Sequence, residues 1–422
     1  MSGAERIEAD YLIETAFDPG HAAAAMAGEQ SSGTFVPVPG ETPELKARAA
    51  ARVERLDVLE TVGSPSLPGA GTPRGASPPV IRRAAVTLSW PVDNLGPSLP
   101  NLVATVAGNL FELRQFSGLR LLDLRLPASF AAANPGVRFG IPGTRRLAGV
   151  EGRPLIGTIV KPSVGFDAGQ TAALVATLCE AGIDFIKDDE LQADGPACPF
   201  EARARAVMRV VNDHAERTGK KVMFAFNLTG EVDEMRRRHD LVRELGGTCV
   251  MASLNSVGLS GMLALRRHAE LCLHAHRNGW GALSRCPWLG WSYVAWQKLW
   301  RLAGADHLHV NGIGNKFCED DDSVMASARA CLAPLRPEHS LLAMPVFSSG
   351  QSARQVAATW QRLGSADLIH AAGGGIMAHP GGIAAGVASL RQAWEAAMAG
   401  IPAETYARDH RELREALARY RA

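Results

Sequence analysis

Between residues 184 and 190 the chain reads Asp-Phe-Ile-Lys-Asp-Asp-Glu. On a strand, side chains alternate between faces, so Asp184 points away from Lys187 while Lys187 and Asp189 share a face. Glu190 lies at the strand exit and can swing to the same side. Two carboxylates with a third oxygen donor suit Mg2+, which takes oxygen ligands and keeps some waters. A salt-bridged strand end, with Lys187 neutralising its acidic neighbours, uses the same residues. Spacing alone leaves both readings open. His274/His276 and His307/His309 are pairs two residues apart, so each pair occupies one strand face. Any one of these histidines taken singly is as well explained by burial with satisfied hydrogen bonds. Arg277 with His309 is a candidate anion grip. Gly373–Gly375 follows a predicted strand and precedes a helix expected to start near Gly381. Backbone N–H groups in such a place bind phosphate; a plain tight turn would also use glycine.

These residues need a scaffold that gathers them. From Leu155 onward a short apolar run is followed by a helical pattern, again and again. The predicted strands are Leu155–Lys161, Asp184–Asp189, Val222–Asn227, Cys249–Leu254, Leu271–Arg277, His307–Asn311, Leu341–Ser348 and Leu368–Ala372. Helical patterns such as Ala172–Glu180, Glu201–Glu216, Val232–Leu245 and Ser352–Leu363 follow them. Eight such units predict a (β/α)8 TIM barrel over residues 146–400, with a doubly wound open sheet as the alternative. Function in such a barrel sits at the C-terminal strand ends. Seven of the eight ends here are polar, including Lys161-Pro-Ser-Val-Gly, Asn227 and Ser348-Ser-Gly350. Residues 1–145 predict a smaller α+β domain of ferredoxin-like type, with strands at Tyr11–Thr15, Arg55–Glu60, Arg83–Trp90 and Leu119–Leu126. Residues 63–80, rich in Pro and Gly, predict a loop. Residues 401–422 predict a charged C-terminal helix.

Composition excludes several classes. The 422 residues carry 44 Lys+Arg against 43 Asp+Glu, without the basic excess of a nucleic-acid partner. No apolar run approaches the roughly 18 residues that span a bilayer, so no membrane association is expected. Glu5, Glu8, Asp10 and Glu14 argue against a secretory signal. Seven cysteines without C-x-x-C spacing fit reduced thiols in the cytoplasm, and neither a zinc ribbon nor a disulfide framework.

Together these residues resemble the large subunit of ribulose bisphosphate carboxylase, and more closely the RuBisCO-like (form IV) proteins, which share its fold without its activity. The resemblance covers nearly the whole chain. It implies that Lys187 is carbamylated by CO2 and binds Mg2+ with Asp189 and Glu190. It implies proton transfer by Lys161, substrate contacts from His276, Arg277 and His309, and a mobile loop carrying Lys316. Ser348 and Gly350 match the seventh-strand substrate loop, and Gly373 and Gly374 the phosphate loop. Glu29-Gln-Ser-Ser-Gly-Thr34-Phe35 looks like the family's Glu-x-x-x-Gly-Thr-Trp segment, and Asn109 matches its Gly-Asn-x-Phe motif. These imply a homodimer whose sites are completed by Glu29, Thr34 and Asn109 of the other subunit.

Departures narrow the activity. The carboxylases have Thr-x-Lys-Pro-Lys on the first strand, where this chain has Ile159-Val-Lys161-Pro-Ser163. Fixation of CO2 on ribulose bisphosphate is therefore not expected, while formation of an enediolate is. The expected activity is decarboxylation of a phosphorylated 3-oxo sugar acid such as 3-oxo-isoapionate 4-phosphate, because the Arg277–His309 pair suits a carboxylate or a second phosphate. The alternatives are an enolase or isomerase of a methylthio-sugar phosphate, a metal-free aldolase using Lys161 or Lys187 as a Schiff base, and a binding protein without turnover.

Overall fold

The structure is a computed structural model and describes residues 5–33, 38–75, 79–336 and 340–420. Internal contacts divide the chain into two units. One holds residues up to Asn134 together with Gly279–Leu302; the other holds Pro135–Asn278 and Ala303–Ala422.

The first unit is built on the strands Arg6–Thr15, Arg52–Val62, Ile81–Pro91 and Gly118–Arg125, antiparallel and ordered fourth, first, third, second. Helices Pro19–Glu29 and Leu99–Val106 follow the first and third strands, which is the ferredoxin-like pattern. Along the first strand Ile7, Ala9, Tyr11 and Ile13 are buried, every second residue, as a half-covered sheet requires. Both helices start on a side-chain cap followed by proline within the first two positions. Asp18 accepts from the His21 N–H, and Ser98 from the Asn101 N–H. A fifth strand, Leu289–Trp291, joins this sheet parallel to Gly118–Arg125. Sequence periodicity had no access to it: three residues, Leu-Gly-Trp, are too few to show a period. The crossover after the fifth barrel strand is therefore an excursion belonging to the first unit, where the βα rhythm predicts a plain helix.

The second unit is a closed barrel of eight parallel strands. In barrel order they are Leu155–Ile159, Phe185–Lys187, Met223–Asn227, Cys249–Ser253, Cys272–His276, His307–His309, Met344–Phe347 and Ile369–Ala371. The predicted strands run longer because their polar ends lie in the loops that follow. Leu155, Phe185, Met223, Ala225, Cys249, Met251, Cys272, Met344, Val346, Ile369 and Ala371 form one buried cluster, joined by Ile141 and Ala148 of the helix Gly140–Ala148. The loop expected over residues 63–80 has no helix or strand among its described residues. The expected C-terminal helix is two, Ala403–Tyr406 and Arg411–Arg419, the second burying Leu413, Ala416 and Leu417. Among the described residues no helix is long and apolar enough to cross a membrane.

Candidate active site

Strand parity carries side chains from the barrel core to its mouth. Phe185, Ala225 and Val346 belong to the buried cluster. Two residues further along each strand, on the same face, come Lys187, Asn227 and Ser348. By the same count His276 follows His274, His309 follows His307, and Lys161 follows Ile159. The alternation that fills the core also delivers the polar set to the C-terminal end.

Lys187 is 1% exposed and is the last residue of its strand. Its Nζ donates to the Asp188 carbonyl at 2.7 Å and lies 3.6 Å from Glu190 Oε2. Burial lowers its pKa, against the raising influence of Glu190 and Asp189. His276 Nε2 is 3.5 Å from the same Glu190 oxygen. Burial, aided by the Lys187 charge, brings His276 down to about 4 and keeps it neutral. Lys161 Nζ donates to Asp189 Oδ2 at 2.5 Å and to Ser163 Oγ at 2.7 Å. Burial works to raise Asp189, but the Lys161 hydrogen bond, the Leu191 N–H and the two lysine charges outweigh it and hold the carboxyl below its usual range. Lys161, Lys187, Asp189, Glu190 and His276 thus form one connected cluster.

Asp184 faces elsewhere, as alternation predicts. It is fully buried against Arg153, Lys220 and the Ile156 N–H. The loop bearing Asp189 and Glu190 is held by residues that the sequence reading did not single out. Asp188 pairs with Arg203 at 3.2 Å, both fully buried. Arg203 also donates to the carbonyls of Gln192, Ala193 and Cys198. Asn227, noted in the sequence only as a polar strand end, donates to the carbonyls of Asp189 and Glu190 at 3.2 Å each. Arg203 sits in the first turn of a helix whose pattern gives no reason to bury it, so only the fold exposes its role.

Arg277 pairs with Glu319, which also accepts from Asn311 Nδ2 at 2.7 Å and Ser323 Oγ at 2.9 Å. Glu319 was not anticipated. Lys316 is exposed in the loop after the sixth strand. Gly350 stands beside it, since a Cβ there would lie 3.7 Å from the Lys316 backbone nitrogen and Cβ. Gly373 and Gly374 begin a one-turn helix, Gly374–Met377, and the longer helix follows at Gly382. A Cβ on Gly374 would meet nothing within 4 Å, whereas one on Gly375 would lie 2.4 Å from the Gln351 carbonyl.

Residues 7–130 match the family described as "Ribulose bisphosphate carboxylase large chain, N-terminal domain", and residues 140–420 its "catalytic domain". The chain is 60% identical, over 99% of its length and 100% of the relative's, to the 3-oxo-isoapionate-4-phosphate transcarboxylase/hydrolase of Xanthobacter autotrophicus. It is 44% identical, over 98% and 97% of the two lengths, to the 3-oxo-isoapionate-4-phosphate decarboxylase of Rhizobium etli. A solved rubisco-like protein from Burkholderia fungorum superposes with a TM-score of 0.93 at 51% identity, covering 98% of this chain and all of that one.

The chain belongs to the RuBisCO large-chain family.

Within that family it stands with the RuBisCO-like proteins. One departure from the RuBisCO carboxylase pattern has a structural reading. Ser163, in place of the carboxylases' second first-strand lysine, accepts from Lys161. His309 was expected to share an anion grip with Arg277. Instead its Nε2 is 2.7 Å from His274 Nε2 and its Nδ1 3.0 Å from Ser348 Oγ, so both ring nitrogens are engaged within the barrel. Burial holds His309 well below the usual histidine range, so it carries no charge for an anion. Of the three RuBisCO-type residues expected from the N-terminal domain, Glu29 and Asn109 are brought together, Asn109 Nδ2 donating to Glu29 Oε1 at 3.3 Å. Thr34 lies outside the described residues.

Proposed function

We propose that this RuBisCO-like chain acts on 3-oxo-isoapionate 4-phosphate and breaks the bond between its carboxyl carbon and C2. The observation that carries the reading is the connected cluster of Lys161, Lys187, Asp189, Glu190 and His276 at the barrel mouth, in a chain 60% identical to an enzyme named for that substrate. In a 3-oxo acid the electrons of the breaking bond flow toward the C3 carbonyl and leave an enediolate, which must then take a proton at C2. The ammonium of Lys161, aimed by Asp189 and Ser163, delivers that proton. Neutral His276 donates or accepts a hydrogen bond at the substrate's hydroxyls. Arg277, positioned by Glu319, meets the leaving carboxylate. Gly373 and Gly374 offer backbone N–H groups to the phosphate. CO2 fixation is not part of this reading.

Lys187, Asp189 and Glu190 fit a Mg2+ ion held through a carbamate. Carbamylation needs the neutral amine, and burial favours that form of Lys187. The resulting oxygen donor with two carboxylates matches the preference of Mg2+. When bound, the ion supplies a Lewis acid for the substrate's oxygens. We further propose a homodimer in which Glu29 and Asn109 complete the partner's site, and a reducing, cytoplasmic setting, which seven cysteines without C-x-x-C spacing fit.

The test uses substrate labelled with 13C in its carboxyl group, in D2O, with bicarbonate and Mg2+ present. Decarboxylation predicts the label in CO2 and bicarbonate, and deuterium at C2 of the product. The second reading, carboxyl transfer followed by hydrolysis, is favoured by the name of the 60% identical relative. It predicts label retained in an organic acid. A product without deuterium at C2, or full activity in CO2-free buffer with EDTA, would overturn the enediolate and metal-carbamate readings respectively.

A further inference from the structure

Five buried side chains run in line through the barrel. Thr144 Oγ1 is 2.8 Å from His307 Nε2. His307 Nδ1 is 3.3 Å from His274 Nδ1. His274 Nε2 is 2.7 Å from His309 Nε2, and His309 Nδ1 is 3.0 Å from Ser348 Oγ. Thr144, His274 and His307 are fully buried; His309 is 3% and Ser348 6% exposed. Burial pushes His307 down to about 3, and His274 and His309 well below the usual histidine range, so all three rings are neutral.

A neutral imidazole has one N–H and one lone pair. Each of these rings uses both nitrogens in the line. Adjacent nitrogens bond only if one donates and the other accepts. The three rings therefore permit just two proton orders, all pointing one way or all the other, and the ends choose between them. At the inner end the Thr144 hydroxyl donates to the Gly140 carbonyl one helical turn back, its shortest contact. Its oxygen then accepts from His307 Nε2–H. In that order Cys272 Sγ, 3.2 Å from the same nitrogen, shares the donor. The opposite order would set a nitrogen lone pair against the Thr144 oxygen.

We infer that Thr144, His307, His274, His309 and Ser348 form one hydrogen-bonded chain with a fixed proton order, running inward from Ser348, which turns the Ser348 hydroxyl into an acceptor toward the barrel mouth. In this order His307 and His309 carry their protons on Nε2 and His274 on Nδ1. Ser348 spends its only proton on His309, so its oxygen meets a ligand hydroxyl and repels a bare phosphate or carboxylate oxygen. Thr144, His307 and His274 are positioning residues, none touching substrate. The proton order is independent of the proposed reaction; only the identity of the group facing Ser348 rests on that reading.

The resting protein, with 15N-labelled histidine and no substrate, tests the order directly by long-range proton–nitrogen correlation at pH 7.5. Single-histidine variants assign the rings. His274 protonated at Nε2, or any of the three rings doubly protonated, overturns the inference, whatever the substrate proves to be. The second arm compares His274→Leu with His274→Gln, both checked for an unchanged fold by thermal melting. In His274→Leu the His309 proton should move to Nδ1 and turn Ser348 into a donor, with KM for 3-oxo-isoapionate 4-phosphate rising about 10-fold and kcat changed little. In His274→Gln the amide oxygen accepts from His309, and KM should stay within about 3-fold. Equal losses in both variants, with the His309 tautomer unmoved, would make His274 a packing residue only.

Discussion

Lys161 reaches from the exposed end of the first barrel strand to Asp189 and Ser163. Both partners are acceptors, so the ammonium is oriented without being buried. Lys161→Met keeps the volume roughly and removes the proton. kcat should fall by about 10²–10⁴, the usual share of a general acid or base, with KM nearly unchanged. Arg277→Met should mainly raise KM, since it removes a contact made before reaction. Steady-state kinetics separate the two, and an unchanged kcat in Lys161→Met would remove this lysine from the proton's path. The cluster's types and spacing were legible in the sequence, because a strand's period of two is simple to count. Glu319 and Arg203 were not, because each acts on residues that are distant until the loops close.

At the scale of elements, the eighth-strand loop shows two glycines with different duties. A methyl on Gly375 would lie 2.4 Å from the Gln351 carbonyl, a clash with backbone that cannot rotate away. Gly375→Ala should therefore lower stability by about 1–3 kcal/mol. A methyl on Gly374 meets open space. Gly374→Ala should melt with wild type yet raise KM, if phosphate sits over that N–H. Thermal melts and kinetics on both variants decide it; equal Tm losses would show that the run is a tight turn and nothing more. The βα rhythm predicted this loop and its neighbours, but it drew the strands too long. The alternating pattern runs on into polar residues past the last paired position, such as Asp189, Arg277 and Ser348, and only barrel closure says where pairing stops.

The whole molecule carries histidines deep in its core. Burial brings His307 to about 3 and His370 to about 4, against 6.5 unfolded. Between those limits the unfolded chain binds more protons than the folded one. Stability is therefore full above about pH 6.5 and falls as pH drops toward 4. At pH 5 the loss should be about 2 kcal/mol per ring. Calorimetry should show a lower Tm at pH 5.0 than at 7.5, with proton uptake on unfolding; a flat Tm would mean these rings are solvated. The proposed dimer is tested by mixing Lys161→Ala with Asn109→Ala protein, each inactive alone. Subunit exchange should restore part of the activity, because one hybrid site is then intact. No recovery after verified exchange would place Asn109 outside the partner's site.

By itself the sequence determined the barrel, the ferredoxin-like partner and the polar strand ends, because hydrophobic period and βα order are local properties. It also determined that Lys187 lies among carboxylates, since those residues are neighbours in the chain. Only the tertiary structure decided which charges meet. Arg277 pairs with Glu319, and Arg203 clamps the loop of Asp189. It sent Gly279–Leu302 out to the first unit's sheet. It also joined His307, His274 and His309 into one line, engaging both ring nitrogens of His309, which the sequence reading had set beside Arg277. Hydrogen bonds between side chains depend on distances of a few tenths of an ångström across different strands. No one-dimensional spacing carries that information; barrel closure supplies it.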